Sequence, residues 1–191
     1  DNVMIGYRAG YDLDNSDHNI GIGREVFSSA SNSGSFGNIA LGYHALQDLT
    51  SGDYNFAGGY DALKDLTTGS YNIALGAFAA DALQSGFYNL ALGGSALSQS
   101  TTNNGNVALG YAAMFVSTNA DYGTAVGYGA GYNAQGDYQI NIGYFAGRDS
   151  DGYSAINIGY EAGYTDDGNY AIYMGYQAGR TSTNTYANIV L

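Results

Sequence analysis

Bulky apolar and very small residues alternate in short runs along this chain, and every run closes on glycine. Asn72-Ile-Ala-Leu-Gly76 shows the unit; Asn38-Ile-Ala-Leu-Gly42, Asn89-Leu-Ala-Leu-Gly93 and Asn106-Val-Ala-Leu-Gly110 repeat it. Counted from the closing glycine, positions −3 and −1 are large and positions −2 and 0 are small. A period of two predicts a short β-strand with one bulky and one small face. Helix is disfavoured by the density of glycine and by the turn residues that follow each run.

The closing glycines are Gly6, Gly23, Gly42, Gly59, Gly76, Gly93, Gly110, Gly127, Gly143, Gly159 and Gly175, at intervals of 17, 19, five of 17 and three of 16. Constant short spacing means a solenoid, one coil per repeat. Alanine stands three residues after the anchor in ten of the eleven repeats, with Val26 the exception. A second short strand or bend is expected there, followed by a polar turn such as Asp48-Leu-Thr-Ser-Gly-Asp-Tyr54. The fold class is therefore all-β: a parallel β-solenoid of about eleven coils of 16–17 residues. With coils about 4.8 Å apart, the rod is roughly 50 Å long. A coil this thin cannot bury its own bulky face, so neighbouring coils must cover it, and packing against further copies of the chain is expected to complete the core.

Two columns of tyrosine run through the repeats. One follows the anchor directly (Tyr7, Tyr43, Tyr60, Tyr111, Tyr128, Tyr144, Tyr160, Tyr176). The other lies five residues before it (Tyr54, Tyr71, Tyr88, Tyr122, Tyr138, Tyr170). In-register aromatics stabilise adjacent strands; the second column is also the candidate sugar- or surface-binding stripe. The array divides in two. Residues 1–122 have mostly 17-residue coils, with Leu or Met four residues past the anchor in most middle repeats. Residues 123–191 have mostly 16-residue coils, with Gly131, Gly147, Gly163 and Gly179 at that place and Asn141 and Asn157 at −2. An inward Asn column is expected to form an amide ladder or to hold an ion or water. The whole reads as one repeat domain with a subdomain border near Gly127. Both ends lie inside repeats, which suggests a segment of a longer array.

Composition narrows the partners. Five Lys plus Arg against 17 Asp plus Glu give a net charge of −12. So few cations argue against nucleic acid or an anionic membrane. No apolar stretch approaches the roughly 20 residues of a spanning helix, and no membrane insertion is expected in this segment. The chain has no cysteine.

The unit Asn55-Phe-Ala-Gly-Gly-Tyr-Asp-Ala-Leu-Lys-Asp-Leu-Thr-Thr-Gly-Ser-Tyr-Asn72 resembles the repeats of phage tail-fibre-like proteins and related bacterial surface fibres. The chain is also similar to a lengthened form of the left-handed parallel β-roll in the heads of trimeric autotransporter adhesins, on runs such as Asn72-Ile-Ala-Leu-Gly76. The likeness extends over essentially the whole chain. It implies a left-handed β-roll, a parallel homotrimer, an extracellular place on a virion tail fibre or bacterial surface, and a host-surface glycan or protein as receptor. The coils are a few residues longer than those of the adhesin heads.

Catalytic chemistry is sparse. His18 and His44 lie in different repeats without Cys or repeated carboxylate spacing around them. Neither a metal centre nor a nucleophilic triad is expected, and no cofactor is implied. Gly21-Ile-Gly23 and Gly127-Tyr-Gly-Ala-Gly131 do not open helices and do not complete a phosphate-loop pattern. The weak calcium candidates are Asp12, Asp14 and Asp17 in an acidic turn, which lacks the bidentate Glu of an EF-hand. The leading expectation is a non-enzymatic structural or adhesive fibre module. Two alternatives are an ice- or glycan-binding solenoid, which needs regular Thr or aromatic columns, and a glycan-degrading tailspike, which needs paired carboxylates in a groove.

Overall fold

The computed structural model describes residues 1–29, 32–118, 120–182 and 186–191. Among the described residues there is no helix, and the strands are two or three residues long. Twelve of them form one parallel sheet, from Val3–Ile5 at one end to Ile189–Val190 at the other. Each −3, −2, −1 run pairs in register with the next, so Ile39 faces Phe56, Phe56 faces Ile73 and Ile73 faces Leu90. The shift from 17- to 16-residue coils leaves this pairing unbroken: Thr124 pairs with Val107 on one side and with Ile140 on the other. A separate pair, Leu13–Asp14 with Asn32–Ser33, occupies the connections near the 19-residue interval.

Beyond the sheet, the coils stack through bends rather than a second regular strand. Left-handed residues at +2 and +4, such as Asp61 (φ 53) and Leu63 (φ 49), break extension on both sides of the +3 alanine. Coil-to-coil hydrogen bonds continue through them, as from Leu63 N to Ala79 O at 3.0 Å. The anchor glycine is dictated twice over. Gly76 has φ +141, and a Cβ there would stand 2.5 Å from the carbonyl oxygen of Gly93. No L side chain tolerates both.

The faces of the strand are the reverse of the expectation that coils cover the bulky side. The small face is inside. Ala40, Ala57, Ala74, Ala91, Ala108 and Ala125 at −2 are fully or almost fully buried. The −3 and −1 residues point outward; Ile73 is 39% and Leu75 36% exposed. The short circumference limits the interior, which is filled from the opposite corner by residues such as Leu46, Leu63 and Leu97 at +4 and Leu49, Leu66 and Leu83 at +7. Little more than a methyl fits opposite them at −2.

That limit makes −2 and +4 vary inversely in size. Met4 faces Gly10, where a Cβ would lie 2.9 Å from Met4 Cγ. Gly21 faces Phe27, where a Cβ on the glycine would lie 3.1 Å from Phe27 Cδ2. Ala shares the space with Leu46, Leu63, Leu97 or Met114 in four middle coils, whereas Ala74 faces Ala80 and Ala125 faces Gly131. From Asn141 onward the larger partner stands at −2: Asn141 with Gly147, Asn157 with Gly163, Tyr173 with Gly179.

Buried Asn side chains at −4 line one edge of the core. The Asn55 amide nitrogen donates to Asn38 Oδ1 (3.1 Å) and to Gly69 O (2.9 Å), while Asn38 Oδ1 also accepts the Asn55 backbone N–H (2.8 Å). The arrangement repeats at Asn72 and Asn89. A shorter amide relay appears where an inward Asn column was expected: Asn157 donates to Asn141 Oδ1 (2.8 Å) and Asn141 to Gln139 Oε1 (3.0 Å).

Candidate binding surface

The six tyrosines of the −5 column all stand on the outside, each in the left-handed region, with exposures between 48% and 66%. Tyr54, Tyr71 and Tyr88 stack in sequence at 5.3 and 5.1 Å, and Tyr122 stacks on Tyr138 at 5.4 Å. Gly105 separates these two segments. Tyr138 then meets Tyr153, and Tyr153 meets Tyr170, edge to face. The candidate calcium ligands do not converge. Asp12 lines a cleft, Asp14 lies on the small two-stranded sheet, and Asp17 is exposed at a bridge to Phe36. Among the described residues no group of three or more His, Cys, Asp or Glu side chains gathers in a metal-holding arrangement.

A second surface emerges at the corner just after the anchor. Position +3 points into the core, so +1, +2 and +5 share the outer side. The +1 column carries the other tyrosine ladder, with Tyr43 on Tyr60 at 4.9 Å and Tyr111, Tyr128, Tyr144, Tyr160 and Tyr176 stacked at 5.1–5.5 Å. The +2 column changes at almost every coil, from Arg8, Glu25, His44 and Asp61 through Phe78, Ser95, Ala112 and Gly129 to Phe145, Glu161 and Gln177. All five basic residues of the chain lie at +1, +2 or +5. The sequence signal for this surface is variability at fixed offsets from a constant anchor.

Three stretches of this corner differ in chemistry. Near the first coils, His44 Nε2 is 2.9 Å from Glu25 Oε2 and its Nδ1 is 3.1 Å from Asp61 Oδ1. The hydrogen bond from His44, with Arg24 beside it, holds the Glu25 carboxyl below the usual carboxylate range. Arg24 itself serves as a rung of the ladder, its guanidinium 5.4 Å from the Tyr7 ring and 5.5 Å from the Tyr43 ring. A polar cleft of about 350 Å³ opens here among Arg8, Tyr11, Asp12, Glu25, Ser28 and Gln47. At the far end Gln177 (2.9 Å) and Arg180 Nε (2.7 Å) donate to Glu161 and lower its carboxyl. Between them lies an aromatic stretch, with a slot of about 240 Å³ over Ser95 and Ala112.

The chain is thus an all-β parallel solenoid with stacked aromatic ladders and one chemically variable corner. It matches no protein-family model, no curated protein and no solved structure.

Proposed function

We propose that this chain is a structural and adhesive fibre module that assembles with copies of itself and attaches to a cell surface or its glycans. The observation that carries the reading is the outward apolar face of the sheet. Columns −3 and −1 place Val, Ile, Leu, Phe and Met on the outside in register over twelve strands, broken only at Gly58 and Thr124 among the described residues. About 50 Å of coils and two residue columns make an apolar strip on the order of 350 Å² even before side-chain breadth is counted. An area of about 350 Å² is within the range of ordinary monomers, and it is the in-register repetition along the rod that supports an interaction surface. Its period matches another copy of the same chain, because only a second solenoid repeats apolar rungs at the same spacing.

A parallel homotrimer with three such faces meeting on its axis covers the strip, and the resemblance to trimeric adhesin heads and tail-fibre repeats favours that number and a left-handed β-roll. The same likeness favours an extracellular place, on a virion or a bacterial surface, with a glycan or protein receptor. No catalytic step belongs to this reading. Analytical ultracentrifugation tests the assembly: a species of three times the chain mass is expected, and a strictly monomeric solution at micromolar concentration refutes it. Binding of labelled protein to bacterial cells tests the attachment.

A further inference from the structure

We infer that the aromatic slot over Ser95 and Ala112 is a binding site for a single neutral pyranose ring. The inference deepens the attachment reading and rests on it for biological purpose. Along the +2 column the side chain shrinks in three consecutive coils, Ser95, Ala112 and Gly129, between the exposed Phe78 and the half-buried Phe145. Column +1 carries no ring at Ala77 and Gly94 and regains one at Tyr111, and column +5 carries none from Ser28 to Ser98 and gains one at Phe115. The slot opens where these changes coincide, with Ser95 and the buried Ala112 as its floor.

Two aromatic stacks form its walls. Tyr111 lies on Tyr128 at 5.3 Å, and Phe115 lies on Tyr132 at 5.0 Å. Phe145 closes one end, edge-on to Tyr128 at 5.5 Å and 88°. A volume of about 240 Å³ is below the roughly 300 Å³ of the smallest drug-sized pockets and suits a single ring.

Charge narrows the ligand. The Arg148 guanidinium, paired with Asp149 at 2.8 Å, lies 5.6 Å from the Phe145 ring and 5.5 Å from the Tyr132 ring, so the cation–π positions of those two rings are already taken and a cationic guest gains little from them. The net charge of −12 disfavours an anionic guest. A purely aliphatic guest would cover the hydroxyls of Ser95 and of the wall tyrosines without giving them partners. A neutral pyranose answers each condition: its C–H face packs on the Tyr111 ring, which has only Gly94 on the side away from Tyr128, and its equatorial hydroxyls reach the polar rim. The chain itself shows that a planar non-aromatic group fits between ladder rings, since Arg24 stands between Tyr7 and Tyr43.

The test is saturation-transfer NMR on the full chain with the methyl β-glycosides of glucose, galactose, mannose and N-acetylglucosamine, and with the peptide Gly-Phe-Gly as the competing class. Transfer to the ring C–H protons of at least one glycoside is expected. Its loss is expected in Ala112→Phe, which fills the slot with a side chain that the same left-handed position carries at Phe78 and Phe145 (φ 57 and 48, against 52 at Ala112). Tyr111→Ala should also lose it, and an unchanged melting curve for Ala112→Phe shows that the fold is intact. No transfer to any glycoside, transfer to the peptide alone, or transfer that survives Ala112→Phe overturns the proposal. The two readings fail separately. Cell binding that persists in Ala112→Phe removes the slot from the attachment and leaves attachment standing, whereas glycoside binding without cell binding removes attachment and leaves the slot.

Discussion

The carboxamide of Asn157 occupies the space a side chain at position 163 would need, so that a Cβ on Gly163 would collide with its Oδ1. Gly163 also has φ +55. Gly163→Ala therefore meets two costs, a left-handed alanine and an overpacked core, expected to total about 2–4 kcal/mol. Asn157→Ala alone removes the donor to Asn141 Oδ1 and is expected to cost about 1–3 kcal/mol. Asn157→Ala with Gly163→Leu rebuilds the Ala57 and Leu63 pairing of the middle coils. The double variant should be more stable than the sum of Asn157→Ala and Gly163→Leu predicts, by at least about 1 kcal/mol in a urea-unfolding cycle. Additive behaviour would show that the two columns do not share one volume.

Opposite outcomes are expected for two neighbours on one strand. Leu75 faces out and Ala74 faces in. Leu75→Asp should leave the circular dichroism of the chain close to wild type while dissolving the proposed self-association, as read by ultracentrifugation, and its melting temperature should match that of the wild-type chain diluted to the monomer. Ala74→Leu adds three heavy atoms to an interior filled by Ala80, Leu83 and the leucines of the adjacent coils, Leu63 and Leu97, and should lower stability by about 1–3 kcal/mol. If Leu75→Asp unfolds the chain and Ala74→Leu does not, the assignment of the faces is wrong.

These two positions also show how far the sequence could be read. Alternation at Ile73, Ala74 and Leu75 made the strand and its pairing legible, because a period of two has only one regular solution. It did not say which face lies inside. Burial of the larger residues is the usual choice, but the interior of a 17-residue coil is bounded by its own backbone, and the leucines at +4 and +7 claim it first. The inverse sizes of Met4 and Gly10, Gly21 and Phe27, or Tyr173 and Gly179 were present in the sequence, yet they gain meaning only once −2 and +4 are known to touch. The −5 tyrosine column was legible for the same reason as the strand. The slot over Ala112 was not, since it depends on small residues in three separate columns falling in adjacent coils.

The −4 amides carry the next expectation. Asn72 donates to Asn55 Oδ1 (3.0 Å) and Gly86 O (2.8 Å) and accepts from the backbone and side chain of Asn89 (3.0 Å each). Asn72→Ala leaves Gly86 O and Asn89 N–H unsatisfied, at about 1–3 kcal/mol for each group left alone, and removes one of the two donors to Asn55 Oδ1, which keeps the backbone N–H of residue 72. Hydrogen exchange should show the damage spreading to the coils on either side, with faster exchange at Asn89 N–H and Asn55 N–H than at matched positions of the last coils. A loss confined to residue 72 would mean that the amides act singly and not as a ladder.

Asp166 contributes to the pH dependence of the second section, beside Asp151 and Glu161. Its side chain is fully buried; Oδ1 accepts hydrogen bonds from Gly168 N (2.8 Å) and Tyr173 Oη (3.1 Å), while Oδ2 has no partner among the described residues. Burial, with the charge of Asp167 nearby, pushes its carboxyl above the usual carboxylate range. A folded pKa above the unfolded one means that folding favours the protonated form. The stability this group contributes is thus complete below the unfolded value near 3.8 and is lost as pH rises through the folded value. Asp166→Asn keeps an acceptor for Gly168 and Tyr173 and carries no charge at any pH. The variant should gain on wild type between pH 4 and pH 7, ending about 2–4 °C higher in melting temperature if relief of the buried group is worth about 1 kcal/mol. The difference between the two curves isolates this site from Glu25 and Glu161, whose lowered carboxyls titrate alike in both proteins. A constant difference across that range would show that Asp166 does not change its ionisation on folding.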